Sequence, residues 1–370
     1  MANILDYAKK YGNLHHLEKE FNELDYLILA TISYVDFDGI LNFDDNKITL
    51  YDAGVTYFNK YDKKDYKNNV MGIQAAIKIF KAVYKLPRYK DLLCYNYRYI
   101  RSENEQFSAL FIDISEYLTY ISFEGTDDLV SGWKEDAELA YKFPVSAHRD
   151  AIKYINRKIT PFSKRKYILG GHSKGGNISL VAGMYANSLI LSKIIAIYSF
   201  DGPGLKLAQI NSRQFKRIKN KYHLIIPNYS VFGLMLRHPK PSKVVLSDHA
   251  GIVAHNCLFW VVDDDEFIET SLTEFSKAVD KAITKWLDNY NDAERKKFVE
   301  DVFMIFERAG IDSLVDIKSQ MLPKVATILR ESMGISKTSK KMIYALIKFL
   351  FANLKETASL NFKSKISLNK

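Results

Sequence analysis

The chain has 370 residues, 47% of them hydrophobic and 13% aromatic, with 8 prolines and a formal net charge of +10. That composition describes a folded globular protein with room for a sizeable core, in one large α/β domain or two smaller ones, and excludes a disordered or collagenous chain. A basic balance would suit nucleic acid or an anionic membrane, but the lysines are spread along the chain without a compact basic block, which argues against a nucleic-acid partner.

The N-terminal MANILDYAKKYGN lacks a charged start followed by an apolar run of signal-peptide length, so a cytoplasmic location is expected. Phe21 to Phe37 carries apolar residues at helical spacing, and MGIQAAIKIFKAVYK from Met71 reads as a second amphipathic helix. Residues 1 to about 100 read as helices and loops without a titratable cluster that suggests chemistry. Cys94 and Cys257 are the only cysteines, with no CxxC or Cys/His cluster for zinc, and reduced thiols are expected.

From Gln106 to Asp128 two β-rich runs separated by Ser115 and Glu116 predict a hairpin feeding into a Gly-Thr turn. AHRDAIKYINRK then reads as a helix, KYILGG as a short buried strand and NISLVAGMYANSLI as a helix. IIAIYSF (Ile194 to Phe200), HLIIP and KVVL supply further strands. Short apolar strands alternating with amphipathic helices predict an α/β fold with a mostly parallel sheet covered on both faces. After Asp263 to Glu266 strands are expected to cease, with a boundary near residue 268. The chain thus divides into an α/β domain over 1–268, with an N-terminal helical part, and a C-terminal helical region over 269–370. Met342 to Leu354 is apolar nearly all round but reaches only about 20 Å as a helix, short of a ~30 Å hydrocarbon core. It reads as a buried helix, or as a membrane-surface or partner-binding one.

The chemistry concentrates at GGHSKGG. Gly171, His172, Ser173, Lys174 and Gly175 fit the G-x-S-x-G nucleophile elbow, set between a strand and a helix as that turn requires. A serine hydroxyl needs a base within reach and an acid to orient that base. Of the downstream histidines, His223, His238, His249 and His255, only the last two follow the final strand, while His172 reads as a packed or solvated neighbour. Asp201, in SFDGPG just past the strand after the elbow helix, is the candidate acid, or else organises its Gly-Pro-Gly turn. Asp248 is a further candidate; the segment after HLIIP offers Asn228, Tyr229 and Ser230 but no carboxylate. Oxyanion donors are expected from Lys174, directly after the nucleophile, and from Thr126 at an earlier strand end.

FEGTDDLVSGWKED, GHSKGGN, FDGPG, IPNYSVFG and GIVAHNCLFW, in that order, resemble the motif series of the bacterial Mbeg-type α/β-hydrolase family, itself distantly similar to class 3 lipases. The resemblance runs from about Phe21 to Trp260 and implies an α/β-hydrolase fold, Ser173 as nucleophile and His255 as catalytic histidine. The chain departs from the family's FRGTD pattern by carrying Glu124 where arginine stands, and it lacks the aspartate that lipases of the wider class carry near IPNYS. The expected activity is that of a serine hydrolase cleaving a carboxylic ester, of small-molecule or lipid type, with no metal or organic cofactor. The alternative is a non-catalytic interaction or membrane-surface protein on the same scaffold, using its C-terminal helices.

Overall fold

The computed structural model describes residues 1–44, 46–61, 71–102, 105–126, 130–310, 330 and 334–341. The first part comprises α1 (Ile4–Tyr11), α2 (Glu23–Ile32), β1 (Ile48–Thr49), α3 (Leu50–Lys60) and α4 (Met71–Val83). Then follow β2 (Leu93–Ser102), β3 (Glu105–Asp113), β4 (Leu118–Phe123), α5 (Val130–Glu138), α6 (Ser146–Lys158), β5 (Lys166–His172), α7 (Lys174–Tyr185) and α8 (Ser188–Leu191). The remainder comprises β6 (Ile194–Phe200), α9 (Leu207–Ile210), α10 (Arg213–Ile218), β7 (Tyr222–Pro227), β8 (Lys243–Val245), β9 (Val262–Asp263), β10 (Glu266–Phe267), α11 (Glu274–Asn289) and α12 (Asp292–Arg308).

Strands β1 to β8 form one eight-stranded sheet in chain order. The first four pair antiparallel and β4 through β8 pair parallel. Side chains alternate across a strand, so each strand feeds two cores. Tyr120, Ile168, Phe200 and Ile225 pack on one face with α1, α2 and α4. Ile121, Leu169, Ile197 and Leu224 pack on the other with α6, α7 and α10. This is an α/β architecture with a mostly parallel sheet covered on both faces, and it sets the carboxyl ends of β4 to β8 along one edge, where sites gather in such sheets.

Two differences from the sequence reading concern strands. β1 and β2 lie in a region expected to hold only helices and loops; β2 reads LCYNYRYIRS, where buried Tyr95 and Tyr97 do the work that aliphatic residues usually signal. The acidic run that was expected to end the strands itself forms the short β9–β10 hairpin, which turns at Asp264 with φ of 56°. Beyond it, α11 docks on the body through Leu287, which clusters with Leu139, Val145 and Leu236. Arg295 on α12 donates to the Ala140 carbonyl at 3.1 Å. Among the described residues no helix is long and apolar enough to cross a membrane. Met342 to Leu354, read as a buried or surface helix, lies outside the described residues.

The N-terminal helices are tied to one another and to the segment before β2 by one buried ion pair. Arg88 donates to Asp25 through Nε at 2.8 Å and Nη2 at 2.6 Å, and to the carbonyls of Lys19 and Glu20. The hydroxyls of Tyr7 and Tyr89 complete the carboxylate's shell at 2.9 and 2.6 Å. Both charged side chains are fully buried. Removing one partner strands the other charge, so Arg88→Met is expected to cost about 3–5 kcal/mol in urea unfolding; a loss under ~1 kcal/mol would contradict this reading.

Candidate active site

The elbow is built by close packing. At the end of β5 Ser173 takes φ 58° and ψ −133°, and α7 begins at the next residue. Non-glycine residues held in this region store about 1–3 kcal/mol of strain, tolerated where the surroundings fix the backbone. Here the Ser173 amide donates to the Phe200 carbonyl at 2.9 Å. A Cβ on Gly171 would lie 2.3 Å from the Gly175 carbonyl carbon, and one on Gly175 would lie 2.1 Å from the Phe123 carbonyl oxygen. Only glycine allows β4, β5 and α7 to meet so closely. The Ser173 hydroxyl caps no amide of α7, and it faces a cavity of about 70 Å³ whose walls include Tyr34, Ala75, Trp133, Phe232, Ile252 and His255.

Asp201 follows β6 with φ 52° and is fully buried. Its Oδ2 lies 2.6 Å from Nδ1 of His255, while Oδ1 accepts from the Ser230 hydroxyl and from the Gly233 amide at 3.0 Å. The loop after β7, which carries no carboxylate, thus serves as a donor to the carboxylate after β6. His255 lies between two rings, Phe232 at 4.2 Å and His172 at 4.4 Å. The other candidates fall elsewhere. Asp248 pairs with its neighbour His249 at 2.7 Å, and His249 stacks on Phe259. His223 stacks on Tyr198, and His238 faces Asp280.

Thr126, after β4, lines the same cavity, and its hydroxyl donates to the Asp136 carboxylate, 2.8 and 2.7 Å from its two oxygens. The Lys174 amide stands in the first turn of α7, where helix N–H groups lack intrahelical acceptors. The Lys174 ammonium turns to α5, paired with Glu135 and 3.8 Å from Asp136. Burial pushes the Asp136 carboxyl up to about 6, against the opposing pull of Lys174 and Thr126. Glu124, the departure from the family pattern, is neutralised by Arg101 on β2, whose Nη2 lies 2.7 and 2.6 Å from its two oxygens. Asp127 and Asp128 lie outside the described residues.

Ser173, His255, Asp201 and Thr126 therefore converge, and the Lys174 amide adjoins them. Sequence reasoning named Ser230 without a role and missed Gly233, Asp136, Glu135 and Tyr34, all of which act through contacts between separate segments of the chain. It also missed His148. The His148 Nε2 lies 2.6 Å from the Asn177 side-chain oxygen, and the Asn177 amide donates to the carbonyls of Pro203 and Gly204 at 3.1 and 2.7 Å. This chain of bonds ties α6 and α7 to the loop after Asp201.

Burial drives His148 down to about 4, below the ordinary histidine value near 6.5. The unfolded chain therefore takes up this proton first, so stability present above pH 6.5 is lost as pH falls toward 4, on the order of 3 kcal/mol. Urea unfolding across that range should record the loss, and His148→Gln should flatten the slope. An unchanged slope in that variant would remove His148 as its source.

The Mbeg1-like family model matches residues 83–304, which takes in α11 and most of α12, helices that the motif series left outside. No curated protein matches the sequence. Among solved structures, the M37 lipase is 14% identical with a TM-score of 0.37, over 72% of this chain and 80% of that one. The Rhizomucor miehei lipase propeptide complex is 14% identical with a TM-score of 0.34, over 60% and 66%. A lipase from Rhizopus microsporus var. chinensis is 15% identical with a TM-score of 0.33, over 65% and 90%.

Proposed function

The chain belongs to the Mbeg1-like family, and from its site we propose that it is a serine hydrolase cleaving a carboxylic ester through an acyl-enzyme on Ser173. One observation carries the reading. A serine held at φ 58° between a strand and a helix opens on the same cavity as a histidine whose Nδ1 meets a buried carboxylate at 2.6 Å.

The roles follow from the chemistry of each group. With Nδ1–H donated to Asp201, the neutral His255 ring presents the Nε2 lone pair, which takes the Ser173 proton as Oγ attacks the ester carbonyl. The imidazolium so formed is stabilised by the Asp201 charge and by the Phe232 face at 4.2 Å. Backbone amides of Lys174 and Thr126 receive the oxyanion. The Thr126 hydroxyl is committed to Asp136, which fixes the loop that carries its amide. His255 then returns the proton to the leaving alcohol, and water attacking the acyl-enzyme repeats the sequence. The apolar walls supplied by Tyr34, Ala75, Trp133, Phe232 and Ile252 suit a hydrocarbon acyl group.

Two substitutions test the proposal with p-nitrophenyl esters. Ser173→Ala is expected to abolish turnover and fluorophosphonate labelling at an unchanged melting temperature, and retained hydrolysis in a clean preparation would rule the assignment out. Asp201→Asn is expected to lower kcat roughly 10³-fold or more, whereas Asp248→Asn leaves it near wild type. The opposite ranking would transfer the acid role to Asp248.

A further inference from the structure

One buried titratable side chain touches this machinery without a part in the chemistry. His172 ends β5, next to the nucleophile, and its Nε2 lies 2.8 Å from the backbone carbonyl oxygen of His255. A carbonyl only accepts, so Nε2 carries the hydrogen and Nδ1 is left as an acceptor. The Tyr34 hydroxyl meets that acceptor at 3.2 Å and the His172 carbonyl oxygen at 3.1 Å. The same hydroxyl touches the loop before Thr126, since a Cβ on Gly125 would lie 1.9 Å from it. Tyr34 and His172 thus form a strut joining the oxyanion loop, the elbow and the loop of the general base.

Asp201 holds the His255 ring at Nδ1 but does not fix its backbone. A ring tethered at one nitrogen still swings when its Cα moves, and near-attack geometry tolerates little of that. The bond from His172 to the His255 carbonyl supplies the second anchor, and it comes from the residue adjoining Ser173. The distance between nucleophile and base is thereby set through a single peptide link. We propose that His172, held by Tyr34, is a positioning residue that sets His255 against Ser173. The inference rests on the serine-hydrolase reading above. Burial holds His172 well below the ordinary histidine value, with the adjacent His255 acting in the same direction. It stays neutral, keeps one donor and one acceptor, and adds no like charge when His255 is protonated.

The test uses the full chain and p-nitrophenyl butyrate hydrolysis, with fluorophosphonate labelling rate as a second readout. His172→Phe keeps a ring but loses the donor. It is expected to lower kcat about tenfold to a hundredfold with KM within about twofold, and to slow labelling in parallel. His172→Gln, which restores an N–H donor, is expected to recover a large part of both. Tyr34→Phe is expected to lower kcat by a smaller factor, and it decides the matter if His172→Phe does not fold. A folded His172→Phe at wild-type kcat, or a His172→Gln no better than it, would overturn the inference. Activity surviving Ser173→Ala would instead bring down the serine-hydrolase reading itself, so the two failures are distinguishable.

Discussion

A carboxylate with no exposure must find a partner for each oxygen or lose the free energy of its hydration, and Asp201 is in that position. It meets the demand by drawing three segments to one point. The turn after β6 provides the carboxylate, the loop after β7 provides Ser230 and Gly233, and the turn ending at His255 provides the imidazole. Each segment is irregular and would otherwise have little reason to adopt one shape. Because the acceptor is charged, these bonds are stronger than ordinary neutral ones and weak alternatives are disfavoured.

The elbow answers a different constraint, that of volume. Backbone from β4, β5 and α7 meets where a single added carbon would overlap a neighbour, and the strained serine sits at that contact. Two cores, one on each face of the sheet, hold the three elements together from both sides. Charge plays only a supporting part there. The buried Lys174 ammonium ties α7 to α5 through Glu135, so the helix after Thr126 is anchored to the helix that begins next to Ser173.

The parts that the sequence made legible are local ones. GGHSKGG carries its glycines and serine within one turn, and β5, β6 and β7 are short aliphatic runs with clear ends, so the parallel sheet and Ser173 could be read directly. Asp201 stands out in the sequence by its place just past the strand that follows the elbow helix, whereas the family resemblance is what singles out His255 from His249. β2 escaped notice because tyrosines and arginines fill it. The Arg101 partner of Glu124 escaped because it lies on another strand, 23 residues away. Tyr34 looked like helix packing, and nothing in its neighbourhood along the chain hints at His172, 138 residues distant.

The N-terminal cover bears on what counts as the smallest self-sufficient version of this protein. Residues 1–82 lie before the stretch matched by the family, yet they provide most of the apolar layer on one sheet face, including Leu27, Ile28, Phe37 and Phe80. An excised 83–304 fragment would present that face, with Tyr120, Ile168, Phe200 and Ile225, bare to water. Contiguous apolar surface of that kind invites self-association. The stretch that matches the family by sequence is therefore smaller than the unit that covers both faces of the sheet, and grafting or trimming has to respect the larger boundary.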